Sequence, residues 1–268
     1  MADLAESRGD QGQDSSSEVF AGKVVLVTGA GRGLGREYAR LCAAEGAAVA
    51  VADIDEDGAQ ETVELIGQRS IGSTAIAVFV DVTSPESTVS MVAKVRHHLG
   101  DVGILVNNAG IWGDLEPAPL MQISPDYWDL VIGVNLKGAL LCTQAVVDSM
   151  RAKRWGRIIN ISSMGAYMAS GAYGVSKLGL NQLTWAMASE LGADGITVNA
   201  VAPGPIDNEA TQRQVPPAGI QKMIEGTAIK RMGDAEDLFG MIRYLSSDSA
   251  AWVTGQTFMV NGGFSTRF

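Results

Sequence analysis

Val24-Val25-Leu26-Val27-Thr28-Gly29-Ala30-Gly31-Arg32-Gly33-Leu34-Gly35 is the stretch that decides the fold. Its first four residues form an unbroken apolar run, the pattern of a short strand buried on both faces. The glycine cluster that follows opens a helix, with Leu34, Tyr38, Leu41 and Cys42 recurring at helical spacing. Glycines at such a bend let the backbone approach a pyrophosphate at the positive end of the helix. Tight turns also use glycine for its positive φ angles, so context has to decide. The context here is Asp53, at the end of the next predicted strand and eighteen positions after Gly35, close to the spacing of a ribose-binding carboxylate. Gly29, Gly33, Leu34, Gly35 and Asp53 are therefore candidate dinucleotide-binding residues.

Beyond this unit the same alternation recurs. Strands are predicted near Ala48 to Ala52, Thr74 to Val80, Gly103 to Val106, Arg157 to Ile161, Ile196 to Val201 and Thr257 to Val260, with helical segments between them. Strand and helix units of this length predict an α/β, Rossmann-like, doubly wound parallel sheet of about seven strands with helices on both faces. No Pro/Gly linker interrupts the series, so residues 19–268 are expected to form a single domain. Residues 1–18 are rich in Ser, Gly, Gln and Asp and cannot repay their ordering entropy, so a disordered tail is expected there. The stretch 206–230, with Pro216, Pro217, Gly219 and Gly226, breaks the rhythm and is expected to be a substrate lid, the alternative being an irregular surface excursion.

Composition narrows the function classes. Twenty Lys and Arg face thirty Asp and Glu, a formal net charge of -10, which disfavours nucleic acid as a partner. The basic cluster Arg151, Lys153, Arg154 and Arg157 falls where a helix should end and reads as charge complementing the helix dipole. Cys42 and Cys142 sit in apolar helical patterns without the neighbours of a zinc site or redox pair, so no metal is expected. Buried thiols suit a reducing cytoplasm. No stretch approaches the roughly twenty apolar residues of a membrane span, and the polar start lacks the apolar core of a secretory signal. A soluble cytoplasmic protein without membrane partners is expected.

The identity of the dinucleotide follows from charge. Asp53 can accept hydrogen bonds from both adenosine ribose hydroxyls of NAD, whereas the extra phosphate of NADP would meet like charge. At about 4 Å and an effective dielectric of about 20, each such unit-charge pair costs roughly 4 kcal/mol. Asp55, Glu56 and Asp57 add to the repulsion, while Arg32 is the one residue placed to receive a phosphate. NAD is the expected cofactor.

The glycine pattern, Asn107-Asn108-Ala109-Gly110 and Tyr173-Gly174-Val175-Ser176-Lys177 together resemble the short-chain dehydrogenase/reductase family, over nearly everything after the tail. The resemblance implies that Asp81 and Val82 lie near the adenine and Pro203 and Gly204 beside the nicotinamide. It extends the cofactor-binding set to Ile54, Asn108, Ala109, Gly110 and Ile206, and the terminal Asn261-Gly262-Gly263 also matches. It further implies that Ser163 hydrogen-bonds the substrate oxygen and that Asn135 positions a water linking Lys177 to a proton relay. Asn135 has a second reading, as an amide satisfying buried backbone.

Chemistry supports Tyr173 and Lys177 independently. Positions i and i+4 share a helix face, so the side chains can cooperate. A tyrosine with a pKa near 10 is a poor proton acceptor at neutral pH unless a cation stabilises its phenolate. Lys177 and the positively charged oxidised nicotinamide could supply that field. In the expected reaction Tyr173 removes the alcohol proton as hydride passes to the nicotinamide, and Lys177 also holds the nicotinamide ribose.

Two departures from the family pattern stand out. In Asn160-Ile161-Ser162-Ser163 the second serine lies ten positions before Tyr173, where thirteen is usual in the family, so Ser162 stays a rival to Ser163. In Pro205-Ile206-Asp207-Asn208 a frequent threonine is missing, and Asn208 is the candidate to replace its cofactor contact. Trp112, Met164, Tyr167 and Met168 are expected to line an apolar substrate pocket, suited to a cyclic or aromatic secondary alcohol. Two other readings remain, a 3-oxoacyl-thioester reductase and a non-catalytic NAD-sensing protein. The resemblance also implies a homotetramer formed through the helix of Asn135, the helix of Tyr173 and the carboxyl-terminal strand.

Overall fold

In the computed structural model, which describes residues 19–69, 72–112 and 119–264, seven strands pair entirely in parallel in the order β3-β2-β1-β4-β5-β6-β7. They are β1 (Val24–Thr28), β2 (Ala48–Asp53), β3 (Ala75–Phe79), β4 (Ile104–Asn107), β5 (Gly156–Ile161), β6 (Ile196–Pro203) and β7 (Thr257–Val260). Each predicted strand is present, with ends displaced by at most two residues. The tail expected over residues 1–18 lies outside the described residues.

β1, β4, β5 and β6 are buried at every position, which is why apolar residues fall on both of their faces. One face of the sheet is covered by α1 (Gly33–Ala44), α2 (Glu56–Arg69) and α9 (Ala235–Ser246), with Tyr38, Cys42, Ile66, Leu238 and Ile242 in its core. The other is covered by α3 (Pro85–His98), α5 (Gly138–Lys153) and α6 (Gly171–Leu191), through Met91, Val95, Cys142, Met150 and Met187. Both thiols are fully buried, and burial raises the pKa of each, Cys142 to about 12. The order reverses between β1 and β4, so the crevice at their carboxyl ends is the switch point where open α/β sheets bind ligands.

Two expectations are corrected. α4 (Pro125–Ile132), a π-helical turn Gly133–Lys137 and α5 join into one helix of 29 residues, Pro125–Lys153, long and apolar enough by length and composition to cross a membrane. Counting only unbroken apolar runs missed it, because Gly, Thr and Asn interrupt the run without making the window polar. Within the fold Val146 and Met150 of this helix are buried against the sheet. Of the basic cluster, Arg151 and Lys153 do lie in the last turn of α5, but Arg157 is a strand residue, buried on β5 and bonded to Asp248 at 3.1 Å.

Residues 206–230 form two short helices, α7 (Glu209–Gln214) and α8 (Pro217–Gly226), rather than an irregular excursion. Gln214 Nε2 donates to the Trp112 carbonyl at 3.4 Å, linking α7 to the chain that follows β4.

Candidate active site

The glycine bend is held from three sides. Asn108 Nδ2 donates to the carbonyls of Thr28 and Gly29, at 3.0 and 2.9 Å, and Thr28 Oγ1 accepts from the amides of Asn108 and Ala109, both at 3.1 Å. Asp53 Oδ2 accepts from the Gly31 amide at 2.7 Å. Behind the bend, Thr62 Oγ1 donates to the Ala30 carbonyl at 2.9 Å and Arg36 Nε to the Gly31 carbonyl at 3.1 Å. Two glycines are required by contact: a Cβ on Gly35 would lie 2.1 Å from the Gly29 carbonyl oxygen, and one on Gly29, whose φ is +63°, would lie 2.7 Å from Ala109 Cα. α1 begins without a side-chain cap or an acidic first turn, whereas α3, α4, α7 and α9 are each capped by their own Ser, Asn or Asp. Its first residues line the crevice without a capping side chain from the N-cap position, the arrangement that receives a phosphate.

The crevice is a cavity of about 710 Å³. At one end it is lined by Gly29, Arg32, Gly33, Leu34, Gly35, Asp53, Ile54, Asp81 and Val82, and in the middle by Asn108, Ala109, Gly110, Pro203, Gly204 and Ile206. Trp112, Met164 and Met168 line the other end, as the sequence reading expected. Tyr167 does not line it, because the 3-10 turn Met164–Tyr167 directs its hydroxyl to Asn181 Nδ2, from which it accepts at 2.8 Å. Leu130, Ser170, Arg213 and Met223 also line the cavity. Asn208 lines it too, but its side-chain oxygen is engaged in capping α7 through the Thr211 amide. Asp81 is turned partly inward, its Oδ1 accepting from the amide and hydroxyl of Thr83 at 2.9 and 2.7 Å.

At the centre of the cavity Tyr173 and Lys177 project from α6. Ser163 lies close enough to the Tyr173 phenol to favour its ionised form, whereas the buried Ser162 hydroxyl donates away from it, to the Lys177 carbonyl at 3.4 Å. Strand-end register therefore puts Ser163, not Ser162, on the phenol. Lys177 Nζ donates to the Ile161 carbonyl at 2.8 Å and lies 5.8 Å from the centre of the Tyr173 ring. Burial lowers the Lys177 pKa to about 8 and raises that of Tyr173 to about 12, with Ser163 pulling the phenol down. For the phenol, removal from water outweighs the influence of Ser163.

Asn135 sits in the π-helical turn, a distortion frequent at functional sites. Its Oδ1 accepts from the Ile111 amide at 2.7 Å, and its Nδ2 donates to the Ile111 carbonyl and Ser176 Oγ, both at 3.1 Å. A Cβ on Gly110 would meet Lys177 Nζ at 3.3 Å and Asn135 Oδ1 at 3.4 Å, so glycine there leaves the amide and the ammonium facing the same space.

Residues 29–265 match the family model described as enoyl-(acyl carrier protein) reductase. The chain belongs to the short-chain dehydrogenase/reductase family. An uncharacterized oxidoreductase of Mycobacterium tuberculosis is 44% identical over 245 residues, 91% of this chain and 98% of that protein. The 3-oxoacyl-[acyl-carrier-protein] reductase FabG of Escherichia coli is 39% identical over 249 residues, again 91% and 98% of the two chains. Among solved structures, one from Agrobacterium tumefaciens, provisionally assigned as a gluconate dehydrogenase, superposes with a TM-score of 0.86 at 33% identity, covering 94% of this chain and 99% of the other. The protein is thus an oxidoreductase of this family, whose cofactor is NAD or NADP. The uncapped start of α1, the glycines that a Cβ would obstruct and the carboxylate of Asp53 at the end of β2 fit such a dinucleotide.

Proposed function

We propose that this protein interconverts a secondary alcohol and a ketone with NAD(H), on a substrate whose body is apolar, cyclic or aromatic. The observation that carries the reading is the phenol of Tyr173, beside Ser163 and one helical turn from Lys177, in the same cavity as the glycine bend. A bound nicotinamide dinucleotide supplies the hydride acceptor, or in reduction the donor. Tyr173 takes the carbinol proton and in the reverse direction returns it, while Ser163 orients the substrate oxygen. The Lys177 ammonium, held on the Ile161 carbonyl, favours the phenolate and reaches toward the nicotinamide ribose. Asn135 spends its donors and acceptor on Ile111 and Ser176, which supports its holding the π-helical turn in register with α6. Asp53 at the adenosine end supports NAD over NADP, since a 2′-phosphate would meet its charge.

Trp112, Met164, Met168, Leu130 and Met223 give the substrate end its apolar character. A second reading, reduction of a 3-oxoacyl thioester, is favoured by the cavity-lining Arg213, which could meet an anionic carrier, and by the FabG relatives. The assembly we propose is a homotetramer in the cytoplasm. The apolar groove of Ile132, Leu136, Leu140, Leu183 and Ala186, on the faces of the Asn135 and Tyr173 helices, supports helix pairing between copies.

The test is a panel of cyclic, aromatic and acyl-thioester alcohols and ketones, followed by nicotinamide absorbance. We expect a higher kcat/KM with NAD than NADP and a loss of about 100-fold or more in Tyr173→Phe. A wild-type preference for NADP would sink the cofactor assignment. Unchanged activity in Tyr173→Phe would sink the chemistry.

A further inference from the structure

The carboxylate at the end of β2 is held by backbone on both of its oxygens. Asp53 Oδ2 accepts from the Gly31 amide at 2.7 Å, and Oδ1 accepts from the Asp55 amide at 3.0 Å. A carboxylate oxygen has two acceptor sites, so these amides fix the direction of the group and leave each oxygen able to accept again. The approach is close because residue 31 is glycine: a Cβ there would lie 3.0 Å from Asp53 Oδ2. Where Asp53 points is therefore set by where the Gly31 backbone stands.

That backbone is gripped from behind. The Ala30 carbonyl and the Gly31 amide are two ends of one planar peptide unit, so a donor on the carbonyl orients and polarises the amide that faces Asp53. The donor is Thr62 on α2, fully buried, whose hydroxyl lies 2.9 Å from the Ala30 oxygen and 3.0 Å from that of Gly58. The next peptide is held as well. Arg36 Nε donates to the Gly31 carbonyl at 3.1 Å and to Thr62 Oγ1 at 3.0 Å, while Nη2 reaches Glu61 at 2.6 Å. Neither Thr62 nor Arg36 lines the cavity, so both act on the dinucleotide site only through the bend.

We propose that Thr62, backed by Arg36, is a positioning residue for cofactor selection: through the Ala30-Gly31 peptide it aims the Asp53 carboxylate at the ribose hydroxyls and so sets how strongly NAD is preferred over NADP. The inference rests on the NAD reading of Asp53 and adds no step to the reaction. Without the Thr62 hydroxyl the Ala30 carbonyl loses this donor, and the carboxylate loses its fixed direction. NAD binding uses that direction and weakens. NADP, which Asp53 only repels, has nothing to lose by it.

The experiment is calorimetric titration of the full chain with NAD and with NADP, for wild type, Thr62→Val, Thr62→Ser, Arg36→Met, Asp53→Ala and the Asp53→Ala/Thr62→Val pair. Wild type should bind NAD more tightly. Thr62→Val should weaken NAD by about tenfold and leave NADP within about twofold, and Thr62→Ser, which keeps the hydroxyl, should hold the wild-type ratio within about twofold. Arg36→Met, changed at a residue that is not fully buried, should lower the same ratio by about threefold or more. In the Asp53→Ala background Thr62→Val should leave the ratio unchanged, because no carboxylate remains to be aimed. A merely structural role would weaken both dinucleotides alike, with or without Asp53. An unchanged ratio in Thr62→Val or in Arg36→Met, or an equal fall in the Asp53→Ala background, overturns the inference, while a wild-type preference for NAD leaves the cofactor reading standing. A wild type that binds NADP more tightly overturns both.

Discussion

Replacing Lys177 with methionine should change how stability depends on pH, by an amount the structure sets. The ammonium is 4% exposed, and burial lowers its pKa from the ordinary 10.5 to about 8. Below pH 8 the lysine is charged in both folded and unfolded chains, and folding carries the full cost of burying it. Between pH 8 and 10.5 the unfolded chain binds the proton and the folded chain has released it, so stability rises with pH across that window. At 1.36 kcal/mol for each pKa unit the whole rise is about 3 kcal/mol. Lys177→Met keeps a chain of similar length and lacks the titration. Its lost bond to the Ile161 carbonyl shifts the curve without giving it this slope. The assay is urea unfolding of both proteins at fixed concentration from pH 7 to 10, with Tyr173, whose ordinary pKa is near 10, present in both and so largely cancelling in the difference. The lead of the variant over wild type should shrink by about 1.4 kcal/mol per pH unit above pH 8. A difference that stays flat from pH 7 to 10 would refute the buried, shifted ammonium on which this account of the site is built.

Asp53→Ala should narrow or reverse the ratio of kcat/KM with NAD to that with NADP, by about tenfold or more, and an unchanged ratio would show that Asp53 does not face the ribose. It should also raise KM for both cofactors, since the Gly31 amide loses its acceptor. Gly35→Ala forces a methyl against the Gly29 carbonyl oxygen at 2.1 Å, and the thermal midpoint should fall to match about 3 kcal/mol or more of lost stability. Ser163→Ala should cost about 100-fold in kcat. Ser162→Ala, which removes only a long bond to the Lys177 carbonyl, should leave kcat within about fivefold, and reversed effects would mean that the serine register is wrong.

The parts of the molecule that could be read from sequence are those governed by local periodicity and by glycine. β1 announces itself because all five positions are buried, and Asp53 because a strand of the expected length carries it to the right end of the sheet. Tyr167 was misplaced because a 3-10 turn rotates successive side chains by about 120°, and nothing in Met164-Gly165-Ala166-Tyr167 signals that geometry. Arg36 and Thr62 were overlooked because each acts on a backbone carbonyl, an acceptor that every residue has and no motif marks. The direction of the Tyr173 shift was also beyond a reading of spacing. Spacing reports which charge is near, whereas the extent of burial depends on the whole fold.

The position of Asn135 explains how two separately built halves of the site work as one. The reversal of strand order places the ends of β1 and β4 side by side, so the glycine bend and Asn108 are joined by direct hydrogen bonds. Tyr173 belongs to neither strand, and α6 has to be brought into register with them by some other means. Asn135 provides it: its amide grips both backbone groups of Ile111, just beyond β4, and donates to Ser176 Oγ, which in turn donates to the Tyr173 carbonyl at 2.7 Å. The π-helical turn carries this side chain between the two elements. All four of these bonds lie on buried or half-buried residues, so water cannot replace them cheaply. The residue carried by this distortion of the long helix therefore couples the dinucleotide cradle to the phenol.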